Sequence, residues 1–368
     1  MKLKFTFLNL FLGCISFLII ETKFTSYALA EQLSKVELNK EIKNGKFLIG
    51  LKQYLGGEND SFSKRKSIKF TTDKSFLNLI SSNGIKHKSK KINITWVDKT
   101  IKNPKLIERI VFGPFASYES AKKQADKLNS KGFDTTVAFP KNWEVWIPFE
   151  ENLPEFESTN RIFRKIKNIQ ITPFLKSEYS QIKLEGPIHI YAEDEIKIND
   201  VNFGKSFYLI PDSYGTWTLV QKIEFDDYLA GVLPYEIGPN SPLEALKAQA
   251  VIARTWGIFN ADRFKKDKYH LCISTQCQVY KPHKITNKKV QKAIQATSNL
   301  ILTYGNQPIN AFYHGSNGGI SATSGESWQI KDYSYFNSII DGSKSLNKMF
   351  KLPIKSESDL NNFLDFDK

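Results

Sequence analysis

The segment Asp227-Tyr-Leu-Ala-Gly-Val-Leu-Pro-Tyr-Glu-Ile-Gly-Pro-Asn-Ser-Pro-Leu-Glu-Ala-Leu-Lys-Ala-Gln-Ala-Val-Ile-Ala-Arg254 carries the strongest local signals in the chain. Its first part is an apolar, strand-like run, and a loop with Glu236 follows it. A helix is then predicted, because Ser241 can cap its first turn, Pro242 suits the first helical position and Glu244 completes a capping box. The segment therefore predicts a strand, a loop that carries a carboxylate, and a well-defined core helix.

The same segment belongs to a longer set of motifs. It contains Tyr228-Leu229, Gly231-Val232, Pro234, Glu236, Pro242-x-Glu-Ala-Leu-Lys-Ala-Gln-Ala and Ala253-Arg254-Thr255. Downstream come Gln278-Val279-Tyr280, Tyr313-His314-Gly315-Ser316-Asn317-Gly318-Gly319, Trp328 and Asp341. In this order the motifs resemble the signature of the SpoIID/LytB family, the stage II sporulation protein D and amidase-enhancer group. The resemblance does not extend to the region before about residue 180.

The resemblance implies a chemistry for Glu236. Some members of the family are lytic transglycosylases, and the glutamate after their Gly-Val-x-Pro segment is held to be the acid. One carboxyl group is enough for this reaction. It protonates the glycosidic oxygen between N-acetylmuramic acid and N-acetylglucosamine, then removes the proton from the muramic C6 hydroxyl to close a 1,6-anhydro ring. Since no water is consumed, the second carboxylate of ordinary glycosidases is not needed.

Such an acid must hold its proton near neutral pH, which an apolar surround would favour and a helix N-terminus at Ser241 would oppose. Candidates for that surround are Tyr235, Ile237, Trp256 and Trp328. Two alternatives remain. In one, Glu236 is a structural carboxylate bonded to backbone amides. In the other, Asp226 or Asp227 faces it and allows hydrolysis, although their position suits a turn or a cap better.

Candidate substrate-binding residues are Arg254, Gln278, Tyr280, His314, Ser316 and Asn317. The loop from His314 to Gly319 combines glycines with polar side chains, which suit sugar hydroxyls and N-acetyl groups if the loop folds over Glu236. The other three offer further donors and a stacking face. A plain turn is the alternative. A Ser316–His314 nucleophile is disfavoured, because no elbow motif surrounds the serine.

A second group of candidates is His270-x-Cys272-x-x-x-x-Cys277. Thiolates and an imidazole form a sound zinc set, and the family resemblance implies zinc near this position. A structural zinc site needs four ligands, and His283 is the nearest candidate for the fourth. The two cysteines also fit a disulfide in an exported protein, and free thiols are the third alternative. A zinc ion would hold the loop beside the active site, since the chemistry itself requires no cofactor.

The amino terminus has the pattern of a secretory signal. Lys2 and Lys4 precede an almost continuous apolar run from Phe5 to Ile20, and Ala28-Leu29-Ala30 provides the small residues of a cleavage site. We therefore expect export to the periplasm or cell envelope, with cleavage after Ala30. The alternative is an uncleaved membrane anchor, because the run is almost long enough to span a bilayer.

The chain is basic, with a formal net charge of +14 over 368 residues. An exported basic protein most simply faces anionic polymers such as cell-wall glycans and teichoic acids, or membrane surfaces. We expect peptidoglycan glycan strands as the main partner, an amidase or other wall-remodelling protein as a further one, and a membrane only at the signal or anchor segment. The export signal argues against nucleic acid. Solvated lysines without any partner are the alternative.

Residues 66–150 predict a small ferredoxin-like α+β module. Its expected elements are a strand from Ser67 to Phe70, a helix from Asp73 to Ser82, strands from Ile92 to Val97 and Ile107 to Phe112, a helix from Ser117 to Ser130 and a strand from Thr135 to Ala138. Each helix runs into a glycine that can end it, Gly84 or Gly132. The segment Ile110-Val-Phe-Gly-Pro-Phe115 and the helix after it resemble the SPOR repeat, a peptidoglycan-binding module. A structural module without a ligand is the alternative.

The rest of the chain predicts an edge strand from Asn142 to Pro148, followed by short strands. These are expected from Ile188 to Tyr191, Glu195 to Ile198, Phe207 to Ile210 and Trp217 to Val220. The expected organisation is a signal peptide at 1–30, an N-terminal segment at 31–65, the SPOR-like module at 66–150, a linker at 151–180 and a SpoIID-like catalytic domain at 181–368. The fold class is multi-domain α+β, with mainly antiparallel strands around the capped core helix.

Two functions remain after these observations. The first is an exported peptidoglycan lytic transglycosylase that cleaves glycan strands and carries a glycan-binding module. The second is a non-catalytic wall protein that binds glycan or activates an N-acetylmuramoyl-alanine amidase. The presence of Glu236 favours the first function.

Overall fold

The computed structural model describes residues 38–57, 67–150, 156, 160–177, 180–281, 287–328, 332–341 and 356–358. The predicted signal peptide at 1–30 lies outside these residues. Within the described ranges, every helix is too short or too polar to cross a bilayer. The chain divides into two compact units, each built from separate segments. The first unit comprises 1–107, 165–236 and 260–292, and the second comprises 108–164, 237–259 and 293–368.

The helices in chain order are α1 (Leu38–Lys43), α2 (Tyr118–Asn129), α3 (Phe225–Glu236), α4 (Leu243–Phe259), α5 (Lys288–Ala296) and α6 (Ser324–Trp328), with a short 3-10 helix at Lys265–Asp267. The strands are β1 (Lys46–Leu55), β2 (Ser67–Thr71), β3 (Leu77–Ser81), β4 (Lys86–Ser89), β5 (Lys91–Phe115), β6 (Thr136–Ala138), β7 (Trp143–Pro148), β8 (Asn160–Lys176), β9 (Gln181–Lys183), β10 (Ile188–Tyr191), β11 (Lys197–Ile198), β12 (Val201–Asn202), β13 (Ser206–Pro211), β14 (Trp217–Glu224), β15 (Leu271–Cys272), β16 (Thr303–Tyr304) and β17 (Gln307–Pro308). The predicted α+β class with mainly antiparallel strands is confirmed.

A seven-stranded sheet forms the core of the first unit, in the order β15-β1-β14-β13-β10-β3-β4. Neighbouring strands are antiparallel except β1 and β15, which are parallel. Helix α3 packs on one face of this sheet. The ring of Phe47 on β1 lies 4.3 Å from the ring of Phe225 and 5.0 Å from that of Tyr228, measured between centroids. Strands β1 and β14 therefore support the helix that ends at Glu236.

A second set of strands in the first unit is built on β5. Its first residues pair with β2, which in turn pairs with β11, and β11 pairs with β12. Further along the chain β8 pairs with β5 and with β9. Alternation of buried and half-buried side chains along β2 and the start of β5 is the period-two pattern of strands with one face in a core.

In the second unit, the last part of β5 pairs with β7, and β7 pairs with β6. Helix α2 begins where it was predicted, because the hydroxyl of Ser117 accepts a hydrogen bond from the backbone N–H of Ser120 at 3.1 Å. Its buried side chains Ala121, Ala125 and Leu128 lie at helical spacing. The left-handed Gly132 follows its last turn, as the sequence indicated.

The helix predicted from Asp73 to Ser82 is wrong, because this segment contains strand β3. Leu77, Leu79 and Ser81 are buried at every second position, and β3 pairs with β10 on one side and β4 on the other. The glycine taken as a helix stop, Gly84, instead turns the chain between β3 and β4 with a φ of 81°. The Asn83-Gly84 pair is a known hairpin signal and would have indicated the strand.

The expected edge strand and the expected linker both differ from the structure. The segment at 143–148 is not an edge strand, because β7 lies between β5 and β6 and pairs with both. The predicted linker at 151–180 contains the 17-residue strand β8. The region predicted as one SPOR-like module is divided, with 67–107 in the first unit and 108–150 in the second. The SPOR resemblance stays a prediction.

The run predicted as a strand before Glu236 is the helix α3, and Glu236 is its last residue rather than part of a loop. Six consecutive residues are buried, from Tyr228 to Leu233. A segment buried on all sides has no period that separates a helix from a strand, and Pro234 in its last turn argued against a helix. Its length and the acidic first turn were the available helix signals.

The predicted helix after Glu236 is confirmed as α4, but its capping box is wrong. The hydroxyl of Ser241 donates to the carbonyl of Ile237, and the first helical hydrogen bond runs from the N–H of Leu246 to the carbonyl of Pro242 at 3.0 Å. The carboxylate of Glu244 pairs with the ammonium of Lys247 at 2.8 Å. The side chains of Ser241 and Glu244 therefore do not bond the backbone N–H groups that a capping box would require.

The first unit also contains a histidine that makes its stability depend on pH. His189 on β10 stacks between the rings of Tyr191 and Tyr208, at centroid distances of 4.7 and 4.5 Å. Burial lowers its pKa from 6.5 to about 4, and the charge of Lys222 acts in the same direction. Between these two values the unfolded chain binds more protons than the folded one, so His189 disfavours folding as the pH falls.

We expect His189→Gln to remove this penalty. On going from pH 7 to pH 4.5, the free energy of unfolding of the variant should improve relative to the wild type by about 2 to 3 kcal/mol. Urea unfolding at both pH values measures the difference, and His87→Gln on β4 is the control for loss of an imidazole. An equal pH response of wild type and His189→Gln would show that His189 titrates alike in the folded and unfolded chain.

Candidate functional site

The site is built where the segment 278–281 crosses helix α3. Gly231 lies in the middle of α3, and a Cβ at this position would be 2.4 Å from Cε2 of Tyr280 and 2.8 Å from the carbonyl oxygen of Lys281. The backbone N–H of Lys281 donates to the carbonyl of Gly231 at 3.1 Å. Only a glycine allows this approach, which brings the 278–281 segment against the helix backbone.

Polar contacts from buried side chains hold the same crossing. The hydroxyl of Tyr228 donates to Oε1 of Gln278 at 3.1 Å, and the hydroxyl of Tyr280 donates to Oε1 of Gln221 at 3.0 Å. The rings of Tyr228 and Tyr280 stack at 5.2 Å. Gln278 and Tyr280 are only 1% and 3% exposed, so both act inside the fold. Their predicted role as direct sugar ligands does not agree with this burial.

Glu236 joins the helix end to this segment. Its Oε1 accepts a hydrogen bond from the backbone N–H of Val279 at 2.9 Å. Its second carboxylate oxygen makes no hydrogen bond with the residues that the structure describes. The side chain is half-buried, at the C-terminal end of α3, where a helix gives a negative charge no electrostatic support. One oxygen is thus fixed, and the other is available to a ligand.

The exposed side of the crossing carries an aromatic ring and a cation. Tyr235 is 42% exposed, and the ammonium of Lys281 lies 4.6 Å from the centroid of its ring. Tyr235 was expected to shield Glu236 within an apolar surround, and its exposure gives that shielding little support. The side chain of Trp328 lies outside the described residues, and Trp256 is buried in α4, in the second unit.

Asp226 and Asp227 are in the first turn of α3, and Glu236 is in its last. Nine residues separate Asp227 from Glu236, which corresponds to about 14 Å along a helix axis. Two carboxyl groups that act together in a glycosidase lie roughly 5 to 9.5 Å apart. The two aspartates therefore lie too far along α3 to face Glu236 across a sugar. Burial together with the charges of Glu224 and Asp226 raises the pKa of Asp227.

His270, Cys272 and Cys277 do not fit the predicted zinc site. The two cysteines form a disulfide, and the backbone N–H of Cys272 also donates to the sulfur of Cys277 at 2.9 Å. Both nitrogens of the buried His270 ring are occupied, since Nδ1 accepts from the N–H of Leu48 at 2.8 Å and Nε2 donates to the carbonyl of Leu38 at 3.1 Å. The described residues contain no group of three His, Cys, Asp or Glu side chains placed for a metal. His283 lies outside the described residues.

The disulfide has a structural consequence for the site. It closes a short loop directly before Gln278 and Val279, while His270 ties the start of that loop to β1. Cross-linking a short loop reduces the conformations it can adopt in the unfolded chain. The loop that presents Val279 to Glu236 is thus held by the disulfide and by the hydrogen bonds of His270. A zinc ion was expected to hold the same loop.

The remaining candidates belong to the second unit. Arg254 is 2% exposed, and its Nη1 donates to the carbonyls of Thr297 and Leu300 at 2.8 and 3.0 Å. It therefore ties α4 to the turn after α5 and is not positioned as a surface ligand for a sugar. His314 and Ser316 are exposed, which keeps a binding role open to them.

Asn317 forms part of a local turn in the same unit. Its Oδ1 accepts from the N–H of Gly319 at 2.8 Å, and its Nδ2 donates to the carboxylate of Asp341 at 3.1 Å. Gly318 and Gly319 have positive φ angles of 65° and 98°, which favour glycine. This motif thus fulfils a folding requirement, as the alternative of a plain turn anticipated.

The sequence motifs contained Gly231 and Val279 but gave them no role in the site, and Lys281 was not among the candidates. A glycine inside an apolar run was a signal of close backbone approach. Val279 contributes only its backbone N–H, and the position of Lys281 depends on how two distant segments meet. Neither contact could be read from the sequence pattern.

Comparison with known proteins locates a family match over this region. The family model described as "Stage II sporulation protein" (SpoIID) matches residues 213–304. An uncharacterised protein of Brachyspira hyodysenteriae is 33% identical over 129 residues, which is 35% of either chain. The amidase enhancer of Bacillus subtilis is 39% identical over 100 residues, covering 27% of this chain and 13% of that protein. Stage II sporulation protein D of Bacillus subtilis is 36% identical over 115 residues, covering 27% and 34%. The match therefore spans no more than 35% of each of these three relatives.

Replacing Gly231 by alanine should destabilise the protein, because the added Cβ would clash with Tyr280 and the backbone of Lys281. We expect a loss of about 3 kcal/mol in the free energy of unfolding. In a helix without this contact the same change would stabilise by about 1 kcal/mol, so the sign of the effect is informative.

Chemical denaturation measures this effect, and Gly315→Ala is the matched control because a Cβ there meets nothing within 4 Å. A Gly231→Ala protein as stable as the control would contradict the close crossing of α3 and the 278–281 segment.

Proposed function

We propose that this chain is an exported cell-wall protein of the SpoIID/LytB kind and acts as a peptidoglycan lytic transglycosylase, because residues 213–304 match the SpoIID family model and two relatives are an amidase enhancer and a stage II sporulation protein D. Glu236 is its acid and base. The substrate is the glycan strand, cleaved between N-acetylmuramic acid and N-acetylglucosamine with a 1,6-anhydro product. The match covers only part of the relatives, so activity, substrate and partners are proposed here on the geometry of the site.

The observation that carries the proposal is the distance between Glu236 and the two aspartates of the same helix, which is too large for either to act as a second carboxylate. Asp226 and Asp227 lie at the opposite end of the 12-residue helix α3. A hydrolase would require a second carboxylate within about 9.5 Å to activate water or attack the sugar. The transglycosylase mechanism, in which the C6 hydroxyl of the same sugar attacks C1, needs only the carboxyl group of Glu236.

In this mechanism the free oxygen of Glu236 does the proton transfer. The protonated carboxyl gives its proton to the glycosidic oxygen as the bond to the muramic C1 breaks. The resulting carboxylate then takes the proton of the C6 hydroxyl, which attacks C1 and closes the anhydro ring. The N–H of Val279 holds the other oxygen at 2.9 Å and keeps the group oriented through both steps.

Tyr235 and Lys281 support a sugar substrate at this position. An exposed ring beside the acid offers a face for stacking, and the nearby ammonium can pair with the carboxylate of a muramic lactyl group. Both side chains are positioned by the same crossing of α3 and the 278–281 segment that positions Glu236. The family-derived candidates Gln278 and Tyr280 then support the site from the core.

A second function has its own support. One of the relatives is named an amidase enhancer, and the bond from Glu236 to Val279 would also be expected of a carboxylate with a purely structural role. In this alternative the chain binds glycan or an amidase without cleaving a bond.

Digestion of purified peptidoglycan tests the proposal, with and without prior removal of the stem peptides. We expect wild-type protein to release 1,6-anhydro muropeptides or glycans, detectable by mass spectrometry. Glu236→Gln keeps an oxygen that can accept from Val279 but cannot transfer the proton, so its rate should fall by at least about 100-fold. Asp227→Asn should retain the activity.

Three results would count against parts of the proposal. Equal product from wild type and Glu236→Gln would remove Glu236 from the chemistry. Reducing-end products without the anhydro ring, lost in Asp227→Asn, would indicate hydrolysis with two carboxylates. Absence of any product, together with faster cleavage by an added amidase, would establish the activating role instead.

A further inference from the structure

An exposed two-stranded ribbon lies in the first unit. It consists of residues 98–106 of β5 and residues 165–170 of β8, which pairs with β5; we call it the β5–β8 ribbon. The register of β5 with β2 ends at Thr95, before the ribbon begins. All residues of the ribbon are exposed except Ile101 and Lys167, which are half-buried. Both faces of the ribbon are therefore open to solvent.

The ribbon combines positive charge with large apolar side chains. It contains one acidic residue, Asp98, and its basic residues are Lys99, Lys102, Lys105, Lys165 and Lys167. Leu106, Ile166 and Ile169 are 58%, 65% and 47% exposed. Basic and aliphatic side chains thus alternate over the same small surface.

This combination needs an explanation beyond solubility. Lysines on an open ribbon prevent edge-to-edge pairing, but that role does not require isoleucines in water beside them. A polyanionic polymer would neutralise the lysines and leave the aliphatic side chains exposed. An anionic lipid surface satisfies both, because phosphate groups pair with the ammonium groups while the aliphatic side chains enter the boundary between headgroups and acyl chains.

We propose that the β5–β8 ribbon binds the surface of an anionic phospholipid membrane. The lysines provide the attraction, and Leu106, Ile166 and Ile169 provide the insertion. The contact is peripheral and reversible, since three side chains bury little apolar area. It does not depend on the chemistry of Glu236, and it would hold the protein at the membrane next to the wall.

Vesicle flotation with the full chain tests this proposal. We compare phosphatidylcholine vesicles with vesicles that also contain phosphatidylglycerol, at low and high salt. One variant removes charge (Lys102→Gln, Lys105→Gln, Lys165→Gln), and another removes the aliphatic groups (Leu106→Ser, Ile166→Ser, Ile169→Ser). The charge-matched control is Lys43→Gln, Lys91→Gln, Lys205→Gln, at exposed positions of the same unit outside the ribbon. All proteins have the same amino terminus, so their differences report on the substituted surface.

We expect wild type and control to partition more strongly onto phosphatidylglycerol vesicles, with the preference lost at high salt. Each basic side chain near such a surface contributes roughly fivefold, so the charge variant should lose about 100-fold. The aliphatic variant should lose at least tenfold. Equal binding to both vesicle types, or equal binding by ribbon variants and control, overturns the proposal. Binding to teichoic acid without binding to vesicles would also overturn it, as would a dimer that the ribbon substitutions convert to monomers.

Discussion

The hydrogen bond from the N–H of Val279 to the carboxylate of Glu236 joins the two parts on which the candidate site depends. Helix α3 is held on the central sheet by apolar contacts, and the 278–281 segment is held on α3 by the close approach at Gly231. Glu236 closes this crossing at the helix end. The same crossing places the ammonium of Lys281 beside the exposed ring of Tyr235.

This arrangement gives the chemistry proposed for Glu236 a physical basis within this chain. One oxygen of Glu236 accepts the hydrogen bond that orients the carboxyl group, and the other is available for the proposed proton transfer. The disulfide between Cys272 and Cys277 and the backbone bonds of His270 fix the loop before Val279. Contacts that fold the protein therefore also position the carboxyl group of Glu236.

Much of this could be predicted from the sequence, but unevenly. The motif residues Tyr228, Glu236, Gln278 and Tyr280 do lie together, and helices α2 and α4 form where their signals indicated. Predictions failed where burial removes the period, as in α3, or where a strand resembles a helix over a few residues, as in β3. The roles of Gln278, Tyr280 and Arg254 were misjudged because a polar side chain in a motif can serve a buried hydrogen bond as well as a ligand. Contributions from backbone atoms, such as that of Val279, depend on tertiary contacts alone.

The most direct test of the central role of Glu236 is amide hydrogen exchange at Val279. With Glu236→Ala, the Val279 amide should exchange at least about tenfold faster than in wild type, because its acceptor is gone. The amide of His270, which donates to the carbonyl of Leu48 in the sheet, should keep its wild-type rate. Unchanged exchange at Val279, or an equal rise at both amides, would contradict a specific bond between Glu236 and the segment that crosses α3.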